Sequence, residues 1–316
     1  MIEASPFEAS DETAWDELAA RSPMATFLHT RRFLTYHGDR FEDASLVLRE
    51  GEKLLGVLPA ARDRADAARV VSHPGATFGG LVHDGGLGGQ RAFEALGACA
   101  AAFRGQDYSS LLYKTVPWIY QRIPSGDDLH ALFRLGAERT RVDLSCAIDL
   151  AERRAPSSRR KRGLKKAEDA GIELSESREL LPAYWAMLEE SLKRRYDVEP
   201  VHTVEEIERL ADLFPEQIGF LFATHDGEPV AGIVIFSSPQ VDHVQYSASG
   251  ELGRETSAID LVTERAIAAA EAAGRRFFDF GVSSEADGRE LNADLYRFKY
   301  EFGGCGVVHE FHELAL

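Results

Sequence analysis

Tyr296-Arg297-Phe298-Lys299-Tyr300-Glu301-Phe302-Gly303-Gly304 is the stretch on which the fold turns. A helical run ends there on glycine just before an apolar strand at 305–311. Phe133-Arg134-Leu135-Gly136-Ala137 ends another helix in the same way before a strand at 141–148. Working back from each, hydrophobic period and turn residues predict the same nine elements twice, in the order α, α, β, β, β, α, β, α, β.

In the first copy, helices are predicted at 12–21 and 25–36, and apolar runs at 44–48 and 54–60 form a hairpin around Glu50-Gly51. An extended run from Val70 breaks at His73-Pro74-Gly75, and helix 89–104, strand 110–114, helix 127–138 and strand 141–148 come after it. The second copy comes after a basic helix at 158–170 and a brief strand at 172–174. Its helices are 181–195 and 204–213, and strands 218–224 and 229–236 meet across Asp226-Gly227, a type I′ hairpin signal. Strand 241–247, an Ala-rich helix at 257–274, a buried strand at 277–282, helix 291–302 and strand 305–311 complete it. Two domains are expected, 1–150 and 151–316, joined where Pro156-Ser157-Ser158 breaks the chain and caps the basic helix.

With 316 residues, 44% hydrophobic and 28% charged, the chain can build a sizeable core, which excludes disordered and fibrous classes. No apolar run approaches the roughly eighteen residues of a membrane span, and the acidic start Met1-Ile2-Glu3 lacks the basic region of a secretory signal. A cytoplasmic protein without a transmembrane segment is expected. A net charge of −16 argues against extended nucleic-acid binding, and so against DNA. The charge is uneven, however: eight of the 20 bases in residues 151–316 lie between Arg153 and Lys166. Cys99, Cys146 and Cys305 offer no C-x-x-C pair and read as small apolar fillers of a reducing compartment.

The element order is that of GCN5-related N-acyltransferases, and several stretches resemble the FemAB-type members. Lys161-Arg162-Gly163-Leu164-Lys165-Lys166-Ala167, followed by Gly171-Ile172, resembles the basic-x-x-aliphatic-basic-Lys-Ala…Gly-Val segment that opens their second half. Phe278-Asp279-Phe280-Gly281 is similar to the family's Phe-Asp-Phe-Gly strand, and residues 296–304 to its Phe-Lys-x-x-Phe-Gly helix end. The resemblance spans the whole chain. It implies an α/β (α+β) protein of two tandem GNAT-like domains, each a mixed, mostly antiparallel sheet flanked by helices. It also implies an N-acyltransferase using acyl-CoA or aminoacyl-tRNA as donor, with no tightly bound cofactor, possible contact with a tRNA acceptor end, and a cell-envelope (peptidoglycan) precursor or amino sugar as acceptor.

Two departures stand out. The Gly-rich acetyl-CoA turn of single-domain relatives, where helix N–H groups bind pyrophosphate, reads here Ser249-Gly250-Glu251-Leu252-Gly253-Arg254-Glu255-Thr256-Ser257, with two carboxylates among its glycines. FemAB-type enzymes that use aminoacyl-tRNA lack that turn as well. The long helical arm of some cell-wall members is absent. In the first half, Asp84-Gly85-Gly86-Leu87-Gly88-Gly89 reads as a flexible turn or an anion seat.

Acyl transfer to an amine needs a neutral amine, donors for the oxyanion and a proton for the leaving group. Tyr246, late in its strand, is a candidate leaving-group acid or a core tyrosine with a satisfied hydroxyl. Asp279, between phenylalanines, needs a partner or a raised pKa, and reads as the amine's base or as a structural ion pair. Lys299 matches the family lysine associated with the acyl donor and could stabilise an oxyanion or a phosphate. On a helical wheel Arg160 falls inside the face of Gly163, Leu164, Ala167 and Ala170, while Arg159, Lys161, Arg162, Lys165 and Lys166 spread round the rest. Arg160, Arg162, Lys165, Arg195 from Lys193-Arg194-Arg195-Tyr196, and Arg297 are the candidates to hold anionic parts of donor or substrate. His309-Glu310-Phe311-His312-Glu313 is not H-E-x-x-H, so no metal site is expected, and no G-x-S-x-G elbow occurs. The competing reading is a non-catalytic protein that binds a saccharide or envelope precursor on a decayed acyltransferase fold.

Overall fold

The computed structural model describes the backbone of residues 1–316 and every side chain except that of Tyr196. Two compact units emerge: Met1–Leu144 with Ser284–Glu290 and Val307–Leu316, and Ser145–Ser283 with Leu291–Gly306.

The first unit runs β1 (Glu3–Pro6), α1 (Glu12–Arg21), α2 (Arg31–Leu34), β2 (Leu46–Glu50), β3 (Lys53–Leu58), β4 (Ala60–Arg62), β5 (Arg69–Ser72) and β6 (Val82–His83). It continues through α3 (Gln90–Arg104), β7 (Ser110–Lys114), α4 (Asp127–Leu135) and the start of β8 (Glu138–Asp149). The second unit holds α5 (Ser158–Asp169), β9 (Glu173–Ser175), α6 (Leu181–Tyr196), α7 (Val204–Leu213), β10 (Ile218–His225), β11 (Glu228–Ser237) and β12 (Val241–Ser249). After α8 (Glu251–Thr256), α9 (Ala258–Ala272) and β13 (Phe277–Val282) come the short β14 (Ser284–Glu285) and β15 (Glu290–Leu291), then α10 (Ala293–Tyr300) and β16 (Cys305–Ala315).

The predicted repeat is present, with one exchange that a single cut at residue 150 does not describe. The first copy's last strand, β8, pairs antiparallel with β13 of the second unit, Asp279 facing Ala147. The second copy's last strand, β16, pairs antiparallel with β7 of the first, Phe311 facing Lys114. Pairing rather than sequence proximity sets the unit boundaries. At the predicted hairpin, Asp226 (φ 53°) and Gly227 (φ 83°) both take left-handed conformations, as a type I′ turn requires. The second core packs Ile233, Val244, Phe278 and Phe280 of the sheet against Val262, Ala266, Ile267 and Ala270 of α9, and Leu46, Leu96, Phe103, Leu111 and Leu314 belong to the first.

Some local expectations are corrected. Residues 25–36 do not form one helix, because Thr26 caps a 3₁₀ turn and Thr30, extended at ψ 149°, accepts from Phe33 N–H to start the short α2. The Ala-rich helix expected at 257–274 is α9, whereas residues 251–256, read as part of a turn, form the short α8, parted from α9 by Ser257, left-handed at φ 62°. Ahead of the first predicted helix lies a further strand, β1, paired with β2. Cys99 and Cys146 are buried fillers, whereas Cys305 is exposed.

Candidate active site

β12 and β13 are parallel neighbours over only three positions, Val241 with Phe277, Asp242 with Phe278 and His243 with Asp279. Beyond them β12 continues beside β11 as far as Ser249, and β13 stays beside β8 to Val282. The strands therefore part directly after His243 and Asp279. Each carries an irregularity at the fork. The β11–β12 register slips between Val234 and Ile235, leaving Gln245 unmatched, so that Tyr246 pairs with Val234. On β13 the register slips between Asp279 and Val282, and Gly281 takes φ +77°.

Phe278, Phe280 and Val244 point into the core under α9, so alternation sends Asp279 and His243 to the opposite face. Asp279 is wholly buried. An unpaired carboxylate there would be costly, and the structure supplies three donors. Ser145 Oγ–H and the Gly281 N–H (3.0 Å) donate to Oδ1, and His243 Nδ1 lies 3.0 Å from Oδ2. Lys299, on α10, donates from Nζ to the carbonyls of Gly281 (2.8 Å) and Val282 (2.7 Å). Burial pushes its ammonium down to about 8 against the opposing pull of Asp279. Asp279 and Lys299 thus grip the same glycine from its N–H and its C=O. Beneath them, burial raises the Cys146 thiol to about 12.

Tyr246 shares the face of His243 because of the bulge, and packs edge-on against Trp185 of α6 and His202. Its Oη accepts the backbone N–H of His202 (3.2 Å) and lies 2.6 Å from His202 Nδ1. Burial, outweighing that N–H, lifts the phenol to about 12, so it stays protonated at neutral pH. A proton donor and an imidazole–carboxylate pair therefore flank one strand fork.

Residues 151–299, which include both fork strands, match the family described as Acetyltransferase (GNAT) domain. That segment belongs to the GNAT acyltransferase family. Solved structures agree on the fold of this acyltransferase over almost its entire length. FemX shares 10% identity at a TM-score of 0.71, covering 99% of this chain and 97% of that one. The C-terminal domain of a putative lysylphosphatidylglycerol synthetase from Agrobacterium fabrum shares 11% at 0.61, covering 97% and 92%. A tandem GNAT protein from the clavulanic acid biosynthesis pathway shares 11% at 0.58, covering 100% and 98%. No curated protein matches the sequence.

The acyltransferase's basic residues divide into two kinds. Arg160, expected to face an anionic ligand, is buried. Its guanidinium pairs with Asp260 (2.5 Å) and Glu301 (3.1 Å) and lies over Phe298 and Phe302, so it ties α5 to α9 and α10. Burial still raises Asp260 to about 6 despite Arg160 beside it. Arg162, Lys165 and Arg195 are exposed, and exposed Arg297 pairs with Asp294 one turn earlier (2.8 Å).

The turn after β12 does not fit a pyrophosphate cradle. A Cβ on Gly253 would lie 2.1 Å from Val230 O, and the Gly250 N–H donates to that same oxygen (2.9 Å). Arg254 Nη1 donates back to Ser249 O (2.8 Å). These glycines let α8 approach β11 rather than open a phosphate seat. In the first unit's Gly-rich turn the chain's own side chains take the donors: Gly89 N–H donates to Asp127 (2.7 Å), Gly86 N–H to Asp84 (3.1 Å) and Gly85 N–H to His83 Nδ1 (3.0 Å). Among the described residues no group of His, Cys, Asp or Glu is arranged to hold a metal ion, and no helix is long and apolar enough to cross a membrane.

Sequence reasoning missed Ser145, His202 and His243. A histidine three positions before Tyr246 in an apolar strand was a usable signal, but its partner depends on register between strands that are separated by a helix.

Proposed function

We propose that the protein is an N-acyltransferase that moves an acyl or aminoacyl group from acyl-CoA or aminoacyl-tRNA to an amine of a cell-envelope precursor or amino sugar. The observation that carries this reading is the fork after His243 and Asp279, where a protonated Tyr246 and the buried Lys299 lie in the segment matching the acyltransferase family. As the amine nitrogen bonds to the acyl carbon and the carbon–sulfur or carbon–oxygen bond of the donor breaks, Tyr246 gives its proton to the leaving thiol or hydroxyl, and the proton that the amine nitrogen loses restores the phenol. Lys299 opposes the negative charge that develops on the carbonyl oxygen. Arg162, Lys165, Arg195 and Arg297 hold the donor's anionic parts, a surface role open to screening by salt. The likeness to FemX and to a lysylphosphatidylglycerol synthetase domain supports an envelope-directed acceptor.

A second reading, a saccharide- or precursor-binding protein without turnover, draws on one observation: the glycines after β12 are filled by Val230 and Ser249. Thermal-shift and mass-spectrometric screening against acetyl-CoA, charged tRNA and UDP-sugar peptides separates the two. Donor binding with appearance of an acylated amine supports the transferase. Acceptor binding alone, with neither donor binding nor product, overturns it.

A further inference from the structure

We infer that the first unit holds an acid-sensitive clasp, in which the neutral rings of His29 and His73 pin residues 73–80 beside the end of β7, and proton uptake by those rings releases the segment. The clasp concerns the first unit alone and does not depend on the acyl-transfer reading.

β5 and β7 are parallel neighbours at three positions, Arg69 with Ser110, Val70 with Leu111 and Val71 with Leu112. After Ser72 the chain turns away at His73-Pro74-Gly75 and comes back at Gly79, whose N–H donates to Lys114 O (3.2 Å), while the Lys114 N–H donates to Ser72 Oγ (2.8 Å). Two imidazoles pin this detour. His73 Nε2–H donates to Leu28 O, and His29 Nε2–H donates to Gly79 O (3.1 Å). Lys114 Nζ adds bonds to His73 O (3.3 Å) and Ala76 O. The segment has no slack: a Cβ on Gly75 would lie 2.6 Å from Phe41 Cε2 and 2.7 Å from His37 Cε1, and one on Gly79 would lie 2.7 Å from both His73 Cβ and Ser72 O.

Neither ring has a place for a second proton. Both residues are wholly buried. His29 Nδ1 accepts the Thr26 N–H (3.0 Å), with the Thr26 hydroxyl 3.4 Å away, so a proton there would set two N–H groups against each other. His73 Nδ1 is buried without a hydrogen-bond partner, on a residue held left-handed at φ 56°. The charges that face His73 are His29, Lys114 on β7 and His37, each positive when protonated. Arg141 and Asp143 on β8 face Lys114 in turn, and Arg31 on α2 is held by Asp43 (2.5 Å). The phenols of Tyr36 and Tyr120 pack on His37 and Phe78. Burial accordingly lowers His29 to about 4 and His73 well below its ordinary range.

Released into water, the two rings bind protons from 6.5 downward, whereas the closed form refuses them down to about 4 at His29. Within that window the open form holds more protons, so opening gains as pH falls. Lys114, at about 8 in the closed form, is charged in both forms throughout the window and adds nothing to it. From pH 7 to pH 5 each ring should multiply opening roughly 20-fold.

The test follows hydrogen exchange of the full chain at pH 7 and pH 5, corrected for the intrinsic pH dependence of exchange, in the parent, H29Q, H73Q and the double variant. His83 and His312, also lowered by burial, are common to all four and cancel. In the parent, peptides over 26–34 and 70–81 should lose protection in acid by roughly 20-fold per ring while β10 and β11 keep theirs. Each single variant should lose part of that response, and the double variant nearly all of it. Equal protection of 70–81 at the two pH values refutes the clasp. So does an equal loss in β10 and β11, which marks global unfolding, and so does a double variant as acid-sensitive as the parent. Should the variants unfold at pH 7, nitrogen NMR of the parent decides: both rings neutral in the folded protein at pH 5 support the clasp, and either ring titrating near 6.5 overturns it.

Discussion

Replacing Lys299 with Met removes a buried amine at nearly constant volume, and the structure gives the size of the effect. Burial lowers the ammonium from 10.5 to about 8 in the folded chain, a difference of about 3 kcal/mol between the two protonation states. The unfolded chain holds that proton up to 10.5, whereas the folded chain releases it above 8. Within that window the unfolded state binds more protons, so folding becomes more favourable as pH rises, and below 8 the contribution is flat. Going from pH 7 to pH 9.5 should therefore stabilise the parent by about 2 kcal/mol more than K299M. Lys114, pushed by burial to about 8 in the first unit, is present in both proteins and cancels. At pH 7 the variant escapes the desolvation of a charge but leaves the carbonyls of Gly281 and Val282 without their donor, at about 1–3 kcal/mol each. It should remain folded, and its turnover should be lost. Urea unfolding of both proteins at the two pH values reads the difference directly. Parallel pH dependence in the parent and K299M would show that Lys299 does not titrate as a buried amine, and the reasoning would fail.

Gly281→Ala forces a side chain into φ +77° beside His243. It should cost about 1–2 kcal/mol by thermal melting and lower kcat more than it changes KM. Arg160→Ala strands Asp260 and Glu301 under α5 and should cost about 3–5 kcal/mol, seen as a lowered melting temperature rather than a change in KM alone. The double variant R162E/K165E leaves stability unchanged, since both side chains are exposed. It should weaken donor binding and flatten its salt dependence when titrated at low and moderate ionic strength.

What was legible in the sequence was local. The Asp226-Gly227 turn fixes its own hairpin because both residues tolerate left-handed backbone, and the Ala-rich helices arise from their period. Even Arg160 was readable: the wheel put it inside the apolar face, and a charge in that position needs an internal partner, here Asp260 and Glu301. The helix expected at 25–36 failed because Thr26 and Thr30 offer the backbone competing side-chain acceptors. The site was half legible. Asp279 and Lys299 announce themselves as charges among aromatics, but Ser145 and His243 reach Asp279 only through the pairing of β8, β12 and β13. Period alone would also have turned Tyr246 to the α9 face, and only the unmatched Gln245 brings it round.

The exchange of terminal strands has a consequence for synthesis. Leu314 belongs to the first unit's core, and Phe311 to Ala315 pair with β7. A ribosome that has delivered residues 1–150 has therefore made a body with an uncovered β7 edge, which must wait through some 150 further residues before β16 arrives. The two copies cannot mature one after the other as beads on a string. A nascent chain held at the midpoint is a client for chaperones, and removal of residues 307–316 should be felt first in the half of the protein farthest from the cut in sequence.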